Sequence, residues 1–496
     1  TTIKIIFILN YMKQDNLLDK VSTGLFLILM CLAGLQGAAG AVVGLPFTEN
    51  FSTTDLQNEA RTSANWSPSE AEVILAWETS QGSVFSQNKG SEGFSSKRGS
   101  LGIDVDATRG LVLGDVDGDG DLDVIAGNAG ETNKLYFNNG NASFSSSGTA
   151  VGSETDRTYS VDLGDLDGDG DLDLIAGNNT ETNKIYYNDG NGGFSSSGTA
   201  FGSGSDYTRS VVLGDIDGDG DLDVIEANYL KINLYRNDGN GNFISTGTSN
   251  PGGSIGTQTD STWSVVLGDV DRDGDLDVIA GNNGQTNKLY RNDGNGGFSD
   301  PTTIGTETDG TLSIVLGDVD GDGDLDVIAG GGATDEASKL YRNDGNGGFS
   351  STGTVIGIAA DRTWSLALGD VDRDGDLDLI GGNEDQVNKL YLNDGNGGFS
   401  DTGTSIGSAS ETGPTYKVLL ADLDGDGDLD VVLGNNGTGN FLNLNNRSDG
   451  FSSTGAAIGN ETDSTYSLAL GDVDGDGDLD VISGNIKETN KLYRND

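Results

Sequence analysis

The chain offers one chemical group in abundance, the carboxylate, and sets it at alternate positions of a nine-residue frame that occurs eight times. The first copy carries Asp115, Asp117, Asp119, Asp121 and Asp123, and the second Asp165, Asp167, Asp169, Asp171 and Asp173. The third has Asp215, Asp217, Asp219, Asp221 and Asp223, and the fourth Asp269, Asp271, Asp273, Asp275 and Asp277. The fifth has Asp318, Asp320, Asp322, Asp324 and Asp326, and the sixth Asp370, Asp372, Asp374, Asp376 and Asp378. The last two have Asp422, Asp424, Asp426, Asp428 and Asp430, then Asp472, Asp474, Asp476, Asp478 and Asp480. Five like charges this close repel strongly unless a cation sits among them.

The frame has the order of a calcium loop: side chains at positions 1, 3 and 5, glycine at 6 for a sharp turn, and a backbone carbonyl at 7. In the first copy Gly120 makes the turn, and Asp121 offers its carbonyl while its side chain faces water. Leu122 anchors the loop in the core, and Asp123 closes the ligand shell. Oxygen-only ligation selects a hard cation, and loop ligands supplemented by water suit Ca²⁺ better than Mg²⁺. Each frame is therefore expected to hold one Ca²⁺, about eight in all. A single Asp-x-Asp-Gly would read as a solvated acidic turn. Eight copies with every alternate aspartate kept do not. Arg272 and Arg373 replace glycine at position 4, which supplies no ligand, so metal binding is expected to survive there.

The rest of the composition removes whole classes of chemistry. With 27 Lys and Arg against 79 Asp and Glu the formal charge is −52, so binding nucleic acid by neutralising phosphates is excluded. Forty acidic residues lie in the eight frames; eight Ca²⁺ offset sixteen charges and leave −36, still unsuited to anionic membranes. Histidine is absent, which rules out a Ser-His-Asp triad, an imidazole base and His-ligated zinc or iron. The one cysteine, Cys31, has no partner for a disulfide within the chain.

The aspartates recur because the scaffold does. Successive frames begin 49 to 54 residues apart, and the same four short runs surround each. An apolar run such as Ser264-Val-Val-Leu267 precedes the frame. Leu276-Asp-Val-Ile279, Lys288-Leu-Tyr-Arg291 and Asp293-Gly-Asn-Gly-Gly-Phe298 follow, leading into Ser/Thr/Gly-rich sequence. Runs of four to six residues, β-branched or aromatic and bounded by Gly, Asn and Asp, read as strands; none has the length or period of a helix. Asp-Gly-Asn-Gly is hairpin-turn chemistry, since these residues tolerate positive φ. Four antiparallel strands per repeat define an all-β fold, a β-propeller of about eight four-stranded blades with seven as the alternative count. A β-solenoid is the competing architecture, but its repeats are shorter.

Residues 84–94 match the third and fourth strands of a repeat, whereas the last repeat stops at Leu492-Tyr-Arg-Asn-Asp496 without its fourth. An N-terminal segment that supplies this strand would close the ring and remove an open edge. A second reading sets residues 64–72 as a degenerate repeat with Trp66 and Pro68 at ligand positions. Further upstream, Lys13 and Lys20 precede the apolar run 23–33 and then Ala39-Gly-Ala41, the pattern of a signal peptide and its cleavage site. The domain expectation is a leader over 1–41 starting at Met12, a cap or degenerate repeat over 42–83, and the propeller over 84–496. The mature protein is expected to be secreted or on the cell surface, a monomer without membrane insertion.

The frame followed by Val-Ile-Ala-Gly-Asn resembles the FG-GAP or VCBS repeat family, which includes integrin α-subunit propellers and fungal and bacterial propeller lectins. Dockerins set the same loop before a helix and thrombospondin repeats pack it more densely, so neither fits. The resemblance implies that the loop joins the first and second strands of each blade and that the aspartates named above bind calcium.

In such a meander the acidic loops and the Asp-Gly-Asn-Gly turns share one face. The other face carries runs such as Asp260-Ser-Thr-Trp-Ser264, Asp361-Arg-Thr-Trp-Ser365 and Asp463-Ser-Thr-Tyr-Ser467, and variable loops such as Asn228-Tyr-Leu-Lys231. Aromatic rings beside Asp, Asn and Thr suit a sugar or a protein side chain. Any single one of them reads first as packing between blades. The expected function is a non-enzymatic adhesion or ligand-binding module for a glycan or an extracellular protein. The alternative is a calcium-dependent polysaccharide lyase or other carbohydrate-active enzyme, for which only Glu226 to Ile232 breaks the repeat noticeably.

Overall fold

Each repeat folds as one antiparallel sheet because its four apolar runs are too short for anything else and are separated by turn residues. The computed structural model describes residues 94–496 except 102, 141–142, 203–206, 246–253, 257–258, 333–335, 358–361, 385, 401–402, 408–412, 446–450, 452–455, 459–461 and 496. The expectations for 1–41, 42–83 and the degenerate repeat at 64–72 lie outside these residues. Among the described residues there are eight four-stranded sheets and no helix. None of their segments is a helix long and apolar enough to cross a membrane.

In the first blade the strands are Thr108–Gly114, Asp123–Asn128, Asn133–Tyr136 and Thr149–Val151, paired in that order. The second strand is buried along its whole length, since neighbouring sheets cover both faces. It reads as a continuous apolar run for the same reason. Packing is shared between blades: Val116, Ile125, Leu135 and Val151 of the first meet Leu174, Ala176 and Tyr186 of the second. The inner strand of each blade lies against the inner strand of the next, and Thr465–Gly471 of the eighth adjoins Thr108–Gly114 of the first, so the ring closes.

The outer strand of the eighth blade comes from the N-terminal side of the first. Phe94–Ser100 pairs antiparallel with Lys491–Asn495, with Arg98 opposite Tyr493 and Ser100 opposite Lys491. Gly99 and Ser100 face Leu492 and Lys491 as Thr149 and Ala150 face Leu135 and Lys134 in the first blade, so the strand runs beyond the expected segment 84–94, whose residues before Phe94 lie outside the described ones. Leu101 continues it into the core between the eighth and first blades, beside Val473, Ile482 and Leu492. Among the described residues the blade count is eight.

Candidate functional site

The acidic frames lie between the first and second strands of every blade. Position 6 requires a left-handed backbone, and Gly120 has φ 98°. Position 1 then ties the loop: Asp115 accepts from Gly118 N at 2.8 Å and Gly120 N at 3.1 Å. The deepest anchor is position 2. Val116 and its counterparts, from Leu166 to Val473, are buried, whereas Leu122 is only partly so.

Carboxylate oxygens converge from three positions of the frame. Asp115, Asp117 and Asp123 have oxygens within 4.8 Å of one another, as do Asp165, Asp167 and Asp173, and the same sets in the third and fifth frames. In the fourth, Asp269, Asp271 and Asp273 meet. Position 9 opens the second strand and is buried: Asp123 accepts from Val116 N at 3.2 Å and Asn138 N at 2.8 Å. Burial pushes its carboxyl up to about 7 against those two N–H donors, and all eight position-9 aspartates behave alike.

Position 3 leaves an oxygen without a partner. Oδ1 of Asp167, Asp217, Asp271, Asp320 and Asp474 is buried and accepts no hydrogen bond. At three of these the other oxygen faces an arginine at the end of the third strand or just after it: Arg236 Nη1 at 3.4 Å, Arg291 Nε at 3.7 Å and Arg342 Nε at 3.2 Å. An orphaned buried carboxylate oxygen is costly, and a hard cation satisfies it directly. The residues fit calcium.

Position 7 departs from expectation. The Asp121 side chain is partly exposed, but Asp324, Asp428 and Asp478 are buried rather than facing water. Two of them receive an arginine from the preceding blade. Arg272 Nε lies 2.6 Å from Asp324 and Arg373 Nε 2.5 Å from Asp428. Both arginines hold the positive φ, 63° and 61°, that glycine adopts at position 4 elsewhere.

The hairpin turn shares this face, as expected, and presses on the loop: a Cβ at Gly140 would fall 2.5 Å from Asp121 Oδ2. Its asparagine has a role that spacing did not reveal. Asn188 Nδ2 donates to the Val116 carbonyl of the preceding blade at 2.7 Å. The equivalent bond recurs at every blade boundary, from Asn237 to Leu166 through Asn495 to Leu423. The recurrence of Asn two residues after the third-strand Tyr or its equivalent, before Asp-Gly in five of the blades, was the signal for it.

On the opposite face one register recurs in every blade, the residue that follows the inner-strand threonine. These residues are Arg109, Tyr159, Arg209, Trp263, Leu312, Trp364, Tyr416 and Tyr466. Seven form a closed circuit. Arg109 Cζ lies 4.1 Å from the Tyr466 ring centre and 4.9 Å from Tyr159; Arg209 Cζ lies 5.8 Å from Tyr159 and 4.3 Å from Trp263. Trp263–Trp364, Trp364–Tyr416 and Tyr416–Tyr466 centroids are 6.0, 5.0 and 4.4 Å apart. The rings therefore meet one another tilted or edge-on and meet arginine, half-buried, in contacts that run from blade to blade along the inner strands. Beside them Tyr207, Tyr229 and Leu230 are 53%, 47% and 53% exposed, with the two tyrosine rings 6.1 Å apart.

Glu226, the residue that breaks the repeat, is 2% exposed. Its carboxylate accepts from Asn183 at 2.6 Å, Thr208 at 3.0 Å, Asn233 at 2.7 Å and Tyr235 at 2.9 Å. It fastens the third blade to the second.

A closed ring of eight sheets with an acidic loop at one corner of each defines a repeat-built β-propeller. The chain belongs to the family of FG-GAP-like repeats, whose model matches residues 115–176, 165–226, 215–280, 269–329, 326–381, 370–433 and 422–483. No curated protein matches it in sequence. Among solved structures it is similar to Sqt1 of Saccharomyces cerevisiae, at 12% identity and TM-score 0.51 over 82% of this chain and 100% of that one. It is also similar to the BP39L lectin of Burkholderia pseudomallei, at 10% identity and TM-score 0.50 over 71% and 100%. An Agrocybe aegerita lectin that recognises non-reducing terminal N-acetylglucosamine aligns at 19% identity and TM-score 0.47 over 78% and 97%. At these identities the likeness is one of fold.

Proposed function

We propose that the protein is an exported, calcium-stabilised propeller that binds a saccharide on the face opposite its acidic loops and performs no catalysis. Calcium is held in each frame by carboxylates of positions 1, 3, 5 and 9. Bound there, it neutralises charge that the fold otherwise carries at a cost. Asp167, Asp217, Asp271, Asp320 and Asp474 support this with their partnerless oxygens.

The observation that carries the ligand reading is the exposed group Tyr207, Tyr229 and Leu230. Ile103, Val105, Ile244 and Val355 are also exposed, but only here do two aromatic rings pair among the exposed apolar side chains of the described residues, and paired rings beside polar loops are what a sugar ring stacks against. Two of the similar folds are lectins, which agrees with the reading without carrying it. The non-enzymatic reading is favoured because Glu226 is buried and takes four hydrogen bonds, so it has no access to a substrate.

A glycan array probed in calcium, followed by an assay for unsaturated sugar products, tests both parts. Binding that Tyr229→Ala abolishes, without turnover, supports the reading. Unsaturated products would replace it with the lyase.

A further inference from the structure

We infer that the pair Arg109 and Arg209 is a receptor for the carboxylate of a uronate-bearing saccharide. The inference rests on the saccharide reading of this face and names the class of sugar. Both guanidiniums lie against aromatic rings, Arg109 beside Tyr466 and Tyr159, Arg209 beside Trp263 and, at 5.8 Å, Tyr159. Contact with a ring does not use the N–H donors of a guanidinium, which stay available to an acceptor. Nε of each is buried and donates to nothing, and among the described residues neither arginine has a carboxylate partner. In a chain of net charge −52, two neighbouring cations without an anion are unexpected.

Arg362, on the same face, shows what the arrangement accepts. Its guanidinium lies 4.8 Å from the Trp364 ring centre and pairs with the Glu384 carboxylate, to which Trp364 Nε1 also donates at 3.2 Å. At Arg109 and Arg209 the ring contact is repeated and the carboxylate is missing. Asp106 and Asp156, three residues before Arg109 and Tyr159 in sequence, accept instead from Asn128 Nδ2 and Asn178 Nδ2. Burial holds the Arg209 guanidinium below its ordinary value and the Arg109 charge adds to this, so an anion between them relieves both. The acidic loops begin six residues further along the strand, roughly 20 Å away. That exceeds the Debye length of about 8 Å, so the repulsion they exert on an anion here is largely screened. Tyr207, two residues before Arg209, sets the exposed ring pair beside the receptor.

Calorimetric titration of the calcium-loaded protein with four probes tests this: an alginate oligouronate, a carrageenan oligosaccharide with sulfate only, a neutral malto-oligosaccharide and poly-glutamate. The oligouronate should bind best. Arg109→Gln and Arg209→Gln should each weaken it about tenfold or more, as loss of a charge-assisted contact does, with the melting temperature unchanged. Arg209→Lys, which keeps the charge without the fork, should fall between. Neutral and acidic sugars binding alike, or glutamine variants binding normally, would overturn the inference and leave the saccharide reading intact. Tighter binding of the sulfated probe or of poly-glutamate would overturn it too. Absence of binding to every saccharide would overturn both.

Discussion

Asn138 Nδ2 donates to the Val473 carbonyl at 2.7 Å, across 335 residues of sequence, and so joins the first blade to the eighth. Val473 is position 2 of the last acidic frame, so the bond that closes the ring ends on the loop that gathers charge. The same bond at the other seven boundaries makes ring closure and loop geometry one structure.

Breaking one such bond should therefore be felt by the whole ring. Asn343→Ala removes donors to the Val270 and Leu325 carbonyls, at 2.7 and 3.1 Å, and leaves the buried Val270 oxygen unpaired. A loss of about 1–3 kcal/mol is expected in denaturant titration, the cost of an unsatisfied buried group. A loss below a few tenths would show that the latch is ornamental.

The buried position-9 aspartates predict an inverted pH dependence for protein stripped of divalent ions. Their carboxyls are raised from 3.8 to about 7 in the folded state, chiefly by burial. Between these values the folded chain binds more protons than the unfolded one, so stability falls as pH rises from about 4 to about 7 and then levels off. Melting temperature measured from pH 4.5 to 8 in metal-free buffer should decline, and added Ca²⁺ should flatten the profile. A metal-free protein that gains stability over that range would refute the assignment.

Arg272 and Arg373 set backbone strain against an ion pair. A non-glycine residue at φ near +60° costs on the order of 1 kcal/mol, and a partly exposed pair returns about 0–1 kcal/mol. Arg272→Gly, which restores the residue found in six other frames, should shift stability by less than about 1 kcal/mol in thermal unfolding. A larger loss would mean that Arg272 and Asp324 are a principal tie between the fourth and fifth blades.

Glu226 separates the structural from the catalytic reading. Glu226→Ala returns the residue of most other blades and lets Asn183 turn to Thr208 Oγ1, as Asn388 does to Thr415 at 2.9 Å. Asn233 and Tyr235 still lose an acceptor, so a destabilisation of about 1–3 kcal/mol is expected. Saccharide binding at 20 °C should be unchanged. Impaired binding with normal stability would return Glu226 to the functional site.

Strands, blade order and the N-terminal closure were legible because each depends on local pattern: apolar runs, turn residues and a repeat that ends one strand short. The acidic frames were legible for the same reason, since their spacing is their geometry. What lay hidden depends on which side chain reaches the next blade. Asn138 looks like a turn residue until the Val473 carbonyl is placed beside it. Arg272 at a non-ligand position gave no sign that it spans to Asp324. The circuit of rings and arginines was half visible, as Trp263, Trp364 and Tyr466 follow threonine in a recurring run. Arg109 and Arg209 occupy the same register, but chemical difference concealed the equivalence.

Calcium titration of the metal-free protein is the most direct test, read as heat and as melting temperature. About eight ions per chain and a large rise in melting temperature are predicted. A protein that takes up no calcium and melts at the same temperature with and without it would contradict the account.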